Sequence, residues 1–299
     1  MAVFTSSDAA VLMPRQIASE MVRDVQRGST IAALSNSEPM QFGNVDIITF
    51  TDTPKAEFVA EGAQKSSTSG TFGAVTAVPR KAQVTMRFSA EVEWADQDHQ
   101  LGVLTELATA GAQALARALD LGVYHRINPL TGQVINSWTN YLTATTLRVN
   151  ASSDPDVDIE TAVGLLITSR KPVTGIAFDT SYAWTLANAR YTDGRKKYPE
   201  LGLGVEITNF EGIAASVSDT VSGQPEADDT KVRAIVGDFR GGIRWGIQRD
   251  LPVEIIRYGD PDGQGDLKRN NQIALRLEMV YGWYVFPDRF AVIEEVDEG

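Results

Sequence analysis

A long alternation of apolar and polar residues is the feature that most constrains how this chain folds. Every second residue from Lys81 to Trp94 is apolar, and the residues between them are polar. Because side chains alternate between the two faces of a strand, this pattern predicts one strand with a dry face and a wet face. At about 3.3 Å per residue it would run roughly 45 Å, well beyond a common strand length, which favours an extended architecture. The apolar set is Ala82, Val84, Met86, Phe88, Ala90, Val92 and Trp94, and the polar set is Lys81, Gln83, Thr85, Arg87, Ser89, Glu91 and Glu93.

A long amphipathic helix is predicted directly after this strand. Leucine and alanine recur at helical spacing from Leu101 to Leu119, and the pattern holds to about Gly122. Asp96 or Asp98 is expected to cap the start of the helix by accepting backbone N–H groups of its first turn. The helix would be about 30 Å long, and Pro129 prevents any continuation.

The segments on either side predict a mixed α and β chain. The first 44 residues read as an arm with a short helix that starts after Pro14 and stops near Gly28, and an apolar cluster at 31–34, followed by a strand at 45–50. A second helix is predicted to open at Asp158 or a neighbour, with Ile159, Val163, Leu166 and Ile167 on one face. A strand at Gly175–Phe178 and a helix from Asp179 come next. The later predicted strands are Lys231–Val236, Ile243–Gln248, Leu251–Tyr258 and Gln272–Phe286.

A small, polar, glycine-rich stretch at residues 61–75 has almost nothing to bury. Two interpretations stay open for it. It is either a mobile loop or linker, or a loop that becomes ordered only against a neighbouring subunit.

The charge and cysteine content exclude several classes of function. The chain of 299 residues has a formal net charge of -12, which disfavours general nucleic-acid binding because such a surface repels phosphate. Cysteine is absent, so disulfides, thiolate metal sites and cysteine nucleophiles are excluded, and a reducing cytoplasm is the expected place of assembly. Neither a secretory signal nor a membrane-spanning apolar run is predicted.

Motifs for catalysis, cofactors and metals are not found in the sequence. The phosphate-loop, dinucleotide and nucleophile-elbow patterns are missing. His99 and His125 are expected near opposite ends of the long helix, as surface residues that share no metal. The calcium-loop spacing that starts at Asp154 fails, and residues 260–266 read as a turn. We therefore predict no catalytic, cofactor-binding or metal-binding residue.

The order of these elements resembles the major capsid proteins of tailed bacteriophages. The likeness covers most of the chain beyond residue 10, is strongest over 58–132 and 232–293, and is weak over 150–230. The segments that carry it are Phe58–Gly62, the Ser/Gly loop, Phe72 and Val75, Arg80-Lys81 with Val84, Phe88–Glu91, Leu119-Asp120, Asn128–Gly132, Ala234–Phe239, the strand pair ending in Arg257, and Phe286–Ile293.

This resemblance implies an α+β chain with the Hong Kong 97-type capsid fold. That fold has an N-terminal arm, an extended β-hairpin loop, a peripheral domain with a long spine helix and sheet, and an axial α/β domain. The implied bounds are 1–44 for the arm, 50–82 for the extended loop, 45–50 with 83–148 and 235–285 for the peripheral domain, and 149–234 with 286–299 for the axial domain. The spine helix would span about 98–122.

The resemblance also implies a structural, non-enzymatic function without a cofactor. Subunits of such a family assemble into pentamers and hexamers that form an icosahedral head around double-stranded DNA, which is enclosed without sequence-specific binding. The expected partners are other copies, neighbouring capsomers, a portal and decoration proteins, but no membrane. Since the arm begins almost at Met1, a separate scaffold or none is expected. The protein would reside in the virion after assembly in the host bacterial cytoplasm.

Contacts between subunits are expected along the loop and on the wet face of the long strand. An acidic inner surface would let packaged DNA sit without sticking. The alternatives are an encapsulin-type compartment around a cargo protein, a soluble acidic hydrolase, and a tail-tube or adhesin subunit. The candidate contact residues are Phe58, Glu61, Lys65, Phe72, Lys81, Arg87, Glu91 and Glu93.

Overall fold

The chain folds into an α+β structure built on two sheets. The computed structural model describes residues 28–50, 55–67, 72–99, 103–202 and 206–296. The helix predicted between Pro14 and Gly28 lies outside these residues, apart from Gly28 itself. The helices are α1 (Thr30–Leu34), α2 (Ala90–His99), α3 (Val103–His125), α4 (Pro155–Thr168), α5 (Thr180–Ala187) and α6 (Phe239–Gly242). The strands are β1 (Val45–Phe50), β2 (Phe72–Ser89), β3 (Arg148–Asn150), β4 (Gly175–Phe178), β5 (Asn209–Phe210), β6 (Ile213–Val217), β7 (Val232–Gly237), β8 (Ile243–Ile256), β9 (Gln272–Val285) and β10 (Phe290–Glu294).

The first sheet is four-stranded, in the order β1-β2-β9-β8. Strands β2 and β9 pair antiparallel from Val78 opposite Trp283 to Ser89 opposite Gln272. Strand β1 pairs with the earlier part of β2, from Ala77 to Phe72, where β9 no longer runs alongside. The predicted strand at 45–50 is confirmed. This register leaves a two-stranded ribbon extending beyond the body of the sheet.

Helix α3 covers one face of this sheet. The alternate residues of β9 that face it, such as Leu277 and Met279, are fully buried. The approach is close, because a Cβ built on Gly111 would come within 2.9 Å of the Leu277 side chain. The Tyr281 hydroxyl donates to the Leu115 carbonyl at 3.0 Å, which ties strand to helix inside the core.

The long strand starts earlier and ends earlier than predicted. It spans Phe72–Ser89, and the prediction of a strand through Trp94 is wrong, since helix α2 begins at Ala90. The physical reason is pairing: β9 starts at Gln272, opposite Ser89, so backbone groups beyond Ser89 have no strand to bond. Ala90 instead donates to the Asn271 carbonyl at 3.0 Å as the chain turns into the helix.

The bounds of the long helix also differ from the prediction. Asp96 and Asp98 lie within α2 and do not start α3, which is described from Val103 to His125. His125 was expected at the surface, but it is buried with its Nε2 atom 2.9 Å from the Val221 carbonyl. Burial lowers the pKa of His125 to about 4, because the charged ring would lose its hydration.

The second sheet has six strands in the order β3-β10-β7-β4-β6-β5. Helices α4 and α5 pack against this sheet, and their apolar residues form a core with it. The predicted strand at Gly175–Phe178 and the helix opening at Asp179 are confirmed, and the Asp179 carboxylate caps that helix by accepting from the Ser181 N–H at 2.9 Å. Helix α4 starts at Pro155, a residue suited to a first helical turn, and not at Asp158. Its buried face includes Ile159, Ala162 and Leu166, whereas Ile167, predicted to share a face with Ile159 and Leu166, is exposed.

The later strands are more continuous than the sequence indicates. The predicted pair Ile243–Gln248 and Leu251–Tyr258 forms a single strand, β8, whose register shifts between Ile247 and Arg249 and again between Leu251 and Glu254. Such bulges absorb extra residues while the strand stays paired with β9. Strand β7 runs across the predicted domain boundary at 234/235 and lies wholly in the six-stranded sheet.

A buried carboxylate joins three distant segments of the chain. Asp120 on α3 is fully buried and accepts the Thr30 N–H at 2.9 Å and the Thr30 hydroxyl at 2.8 Å. It also accepts from the Ser29 hydroxyl and from the Thr220 hydroxyl at 2.9 Å. Burial raises the pKa of Asp120, and the hydrogen bonds from Ser29 and Thr30 oppose that shift. We call Asp120, Ser29, Thr30 and Thr220 the Asp120 cluster.

Replacing Asp120 by Asn is expected to lower the free energy of unfolding by about 2–4 kcal/mol, since an amide NH2 would then face buried donors. Urea unfolding of the unassembled subunit measures the change. Glu106→Gln is the matched control, because Glu106 is exposed on the same helix and should change stability by less than about 0.5 kcal/mol. Equal effects of the two substitutions would contradict a structural role of the Asp120 cluster.

His125 is expected to make subunit stability depend on pH. Its pKa is about 4 in the folded chain and near 6.5 when unfolded, so only the unfolded state binds the proton between these values. Stability is therefore lost as the pH falls from 6.5 towards 4, by about 3 kcal/mol from this residue. His125→Gln should flatten that part of the stability–pH curve. Parallel curves for the two proteins would show that His125 is not responsible.

Candidate assembly surface

The ribbon formed by β1 and residues 72–77 of β2 presents an apolar face to solvent. Residues directly opposite in an antiparallel pair share a face, and Ile48 lies opposite Ala74. Alternation along β2 places Phe72 and Val78 on that same side. Ile48 is 73% exposed, Phe72 65% and Val78 41%. We call this side, with Ile48, Phe72, Ala74, Thr76 and Val78, the uncovered face.

The uncovered face continues the side of β2 that is buried in the body of the sheet. Farther along the strand, Val84 and Met86 lie on the same side and pack into the core under α3. The helix does not extend over the ribbon, so the apolar side emerges into solvent. An isolated two-stranded ribbon is marginally stable in water, and clustered exposed apolar side chains mark interaction sites.

The described part of the loop, residues 55–67, carries further exposed side chains. Phe58 is fully exposed, and Glu61 and Lys65 are exposed beside it. Glu57 accepts the Ser66 N–H at 2.6 Å, which folds the loop back on itself. Hydrogen bonding from Ser66 lowers the pKa of Glu57. The loop therefore has local order but buries almost nothing within its own chain.

The predicted wet face of the long strand is largely engaged within the chain. Lys81 forms an ion pair with Glu278 at 2.7 Å. Arg87 pairs with Asp262 and, at 2.9 Å, with Asp260, and its own side chain is mostly buried. These contacts raise the pKa of Arg87 and lower that of Asp262. Arg87 thus holds the loop after β8 against the sheet.

The remaining predicted contacts of this strand lie on helix α2. Glu91 accepts the Asn271 side-chain amide at 2.6 Å. Glu93, placed by the alternation on the solvent side, is instead buried and paired with Arg257 at 2.7 Å. Its position on a helix, and not on a strand, is the reason for this correction. Contacts of Arg87 and Glu93 with other copies stay a prediction.

Sequence reasoning missed Ile48 and Val78. A partial signal for Val78 was present, since Phe72, Ala74 and Val78 are apolar at even positions, although Thr76 and Arg80 interrupt the series before the predicted start at Lys81. Ile48 carries no such signal, because its exposure depends on which part of β2 lies opposite β1 and on where α3 ends.

Cavities and polar clusters of the described residues offer little for chemistry. Two cavities, of about 380 and 550 Å³, share Trp184 in their linings, which otherwise consist mostly of polar residues, some of them acidic. Across the described ranges, no group of three or more histidine, cysteine, aspartate or glutamate side chains is placed to hold a metal ion. Nor does any described helix combine the length and apolar content needed to cross a bilayer.

Comparisons with known proteins agree on one family. The phage capsid family matches residues 9–293. A structure from Mycobacterium phage Ogopogo is 45% identical, with a TM-score of 0.80 over 90% of this chain and 92% of that one. One from Gordonia phage Cozz is 31% identical, with a TM-score of 0.78 over 90% and 87% of the respective chains. A chain described as the capsid of an empty GTA particle shares the fold at 16% identity, with a TM-score of 0.60 over 90% of each chain. No curated protein matches the sequence.

Polar substitutions on the uncovered face are expected to weaken association between copies and leave the subunit folded. The variant Ile48→Ser with Phe72→Ser removes exposed apolar area, so the protein concentration needed for association should rise at least tenfold. Analytical ultracentrifugation measures this concentration, and circular dichroism checks the fold.

Val75→Ser is the matched control, because Val75 lies on the opposite side of the same ribbon and tests loss of strand propensity alone. If this control weakens association as much as the double variant does, the uncovered face is not the contact surface.

Proposed function

This chain belongs to the phage capsid family, and we propose that it builds the phage head from pentamers and hexamers held together partly through the uncovered face. It is a major capsid protein with the Hong Kong 97-type capsid fold, a structural component of the virion that self-assembles with other copies. A match to the phage capsid family does not favour an encapsulin-type shell or an acidic hydrolase.

The uncovered face of the ribbon is the observation that supports the proposed contacts within pentamers and hexamers. Ile48, Phe72 and Val78 expose apolar area to solvent, with Ile48 the most exposed of the three. A patch on one copy that fits a different patch on the next copy generates closed rings when the rotation between copies closes. We therefore place the ribbon of one copy against its neighbour within a ring.

We propose the domain assignment implied by the sequence, with the arm at 1–44 and the extended loop at 50–82. Its peripheral domain comprises 45–50, 83–148 and 235–285, and its axial domain comprises 149–234 and 286–299. The two sheets support a division of this kind, except that β7 crosses the proposed boundary at 234/235 and belongs to the six-stranded sheet. The four-stranded sheet contains the ribbon and lies under α3, whereas the six-stranded sheet contains strands from the middle and the end of the chain.

Phe58, Glu61, Lys65 and Phe72 are proposed as contacts between copies because each is exposed near or on the ribbon. Lys81 and Glu91 are proposed as weaker contacts, since both already have partners in their own chain. For Arg87 and Glu93 the internal pairs support a structural role more than an intermolecular one.

The acidic balance of the chain supports enclosure of DNA without sequence-specific binding. With 27 Lys and Arg against 39 Asp and Glu, the chain as a whole repels phosphate. We propose an acidic lumen, assembly in the host bacterial cytoplasm, and a portal, scaffold and decoration proteins as partners. The described clusters and cavities give no support to an enzymatic activity.

Imaging of the purified chain tests the proposed assembly. We expect negative-stain electron microscopy to show closed shells with five-fold and six-fold rings, and the shells should disappear in the Ile48→Ser, Phe72→Ser variant. Rings or fibres without closed shells from the unmodified protein would overturn the pentamer and hexamer proposal. Nucleic-acid content of particles from infected cells distinguishes enclosed DNA from a protein cargo.

A further inference from the structure

Arg80 is a cation on the apolar side of the long strand. Its even-numbered position in β2 places it between Val78 of the uncovered face and Ala82, which packs against the core. Arg80 therefore marks the boundary where the cover of α3 ends and the bare ribbon begins. It lies directly opposite the buried Tyr281 of β9.

The guanidinium of Arg80 lies in the corner formed by two indoles. Its central carbon lies 4.0 Å from the ring centre of Trp138 and 4.7 Å from that of Trp283. The indoles meet edge to face, with centroids 5.4 Å apart. Contact with both rings restricts the orientation of the planar guanidinium.

Two buried N–H donors of this cluster have no acceptor. Within the described ranges, neither the Nε of Arg80 nor the Nε1 of Trp283 has a hydrogen-bond partner, although both atoms are buried. Buried donors are nearly always satisfied in folded proteins, so the unpaired Nε shows that the hydrogen bonding of Arg80 is incomplete within its own chain. Desolvation without a counter-ion also lowers the pKa of Arg80 to about 10.

Other partly buried arginines of the chain show what Arg80 lacks. Four of them pair with a carboxylate of the same chain, and Arg126 and Arg276 donate to carbonyl or hydroxyl oxygens, whereas no described carboxylate pairs with Arg80. The pairs are Arg87 with Asp262, Arg117 with Glu226, Arg233 with Asp229 and Arg289 with Asp238.

We propose that Arg80, packed against Trp138 and Trp283, is a receptor for a carboxylate side chain of a second copy of this chain. The proposal rests on the shell-building function above and names one polar contact within it. Docking of a second copy on the uncovered face would bring a carboxylate of that copy to the edge of the face, where Arg80 lies. The carboxylate would accept from the guanidinium fork and complete the ion pair.

Charge supports this choice of partner. The acidic residues outnumber the basic ones by 39 to 27, so each copy carries a surplus of carboxylates. A guanidinium fork binds a carboxylate through two parallel hydrogen bonds, which fixes orientation as well as position. The apolar uncovered face beside it would supply most of the buried area, and the ion pair would set the register of neighbouring copies.

Zero-length crosslinking of Arg80→Lys shells tests the proposal. A carbodiimide activates a carboxylate, and a lysine amine in contact with it displaces the urea and forms an amide bond. The variant is assembled as a minor fraction with wild-type subunits, so that shells form even if the substitution weakens assembly. One of the two subunit types is labelled with 15N, so mass spectrometry distinguishes crosslinks between copies from those within a copy.

We expect an amide between Lys at position 80 and an Asp or Glu of another copy, and its loss in Arg80→Gln shells. The neighbouring Lys81 is a built-in control, because its contact with Glu278 at 2.7 Å should give a crosslink within one copy in every sample. A crosslink from position 80 to a carboxylate of its own chain overturns the proposal. So does the absence of any crosslink there while Lys81 reacts. Failure of wild-type subunits to form shells would instead count against the proposed assembly.

Discussion

The Asp120 cluster is the interaction on which the rest of the structure depends. A carboxylate withdrawn from water is costly unless donors surround it, and Asp120 is surrounded by groups from α1 and from the turn at Asp219–Val221. That turn follows β6 of the six-stranded sheet, while Asp120 belongs to the helix that covers the four-stranded sheet. The cluster therefore connects α3 to the turn beside the six-stranded sheet. It also connects the beginning of the described chain to α3 and to that turn.

This fixed junction explains how the ribbon can present an uncovered face. Helix α3 ends at His125, which is held by the Val221 carbonyl, so its cover over β2 stops at a defined place. Beyond that place the side of β2 that was buried becomes exposed, and β1 alone accompanies it. Binding of a neighbour to an apolar face on a strand of the sheet costs little conformational entropy, because the backbone of that strand is already ordered in the free subunit. Assembly of a shell uses such preformed surfaces.

The ion pairs distinguish residues that stabilise the subunit from residues that are exposed for contact with other copies. Arg87 and Arg257 hold loops and helix α2 to the four-stranded sheet, and so these residues of the strand region are occupied within the chain. Loop residues such as Phe58 have no comparable internal function in the described structure. Sequence patterns assigned the loop residues and the polar residues of the long strand to one contact surface. Periodicity predicts on which face of an element a residue lies, but not which partner it contacts.

The sequence by itself determined the strand followed by a long helix, the helix cap at Asp179 and the mixed α+β class, because these depend on periods and caps within a few residues. Tertiary structure decided where the strand ends, since Ser89 is the last residue opposite β9. It also decided that Asp120 and His125 are buried and that Ile48 is bare. Those outcomes depend on partners far away along the chain, such as Thr30 and Thr220 for Asp120, and a local pattern carries no information about such distant contacts.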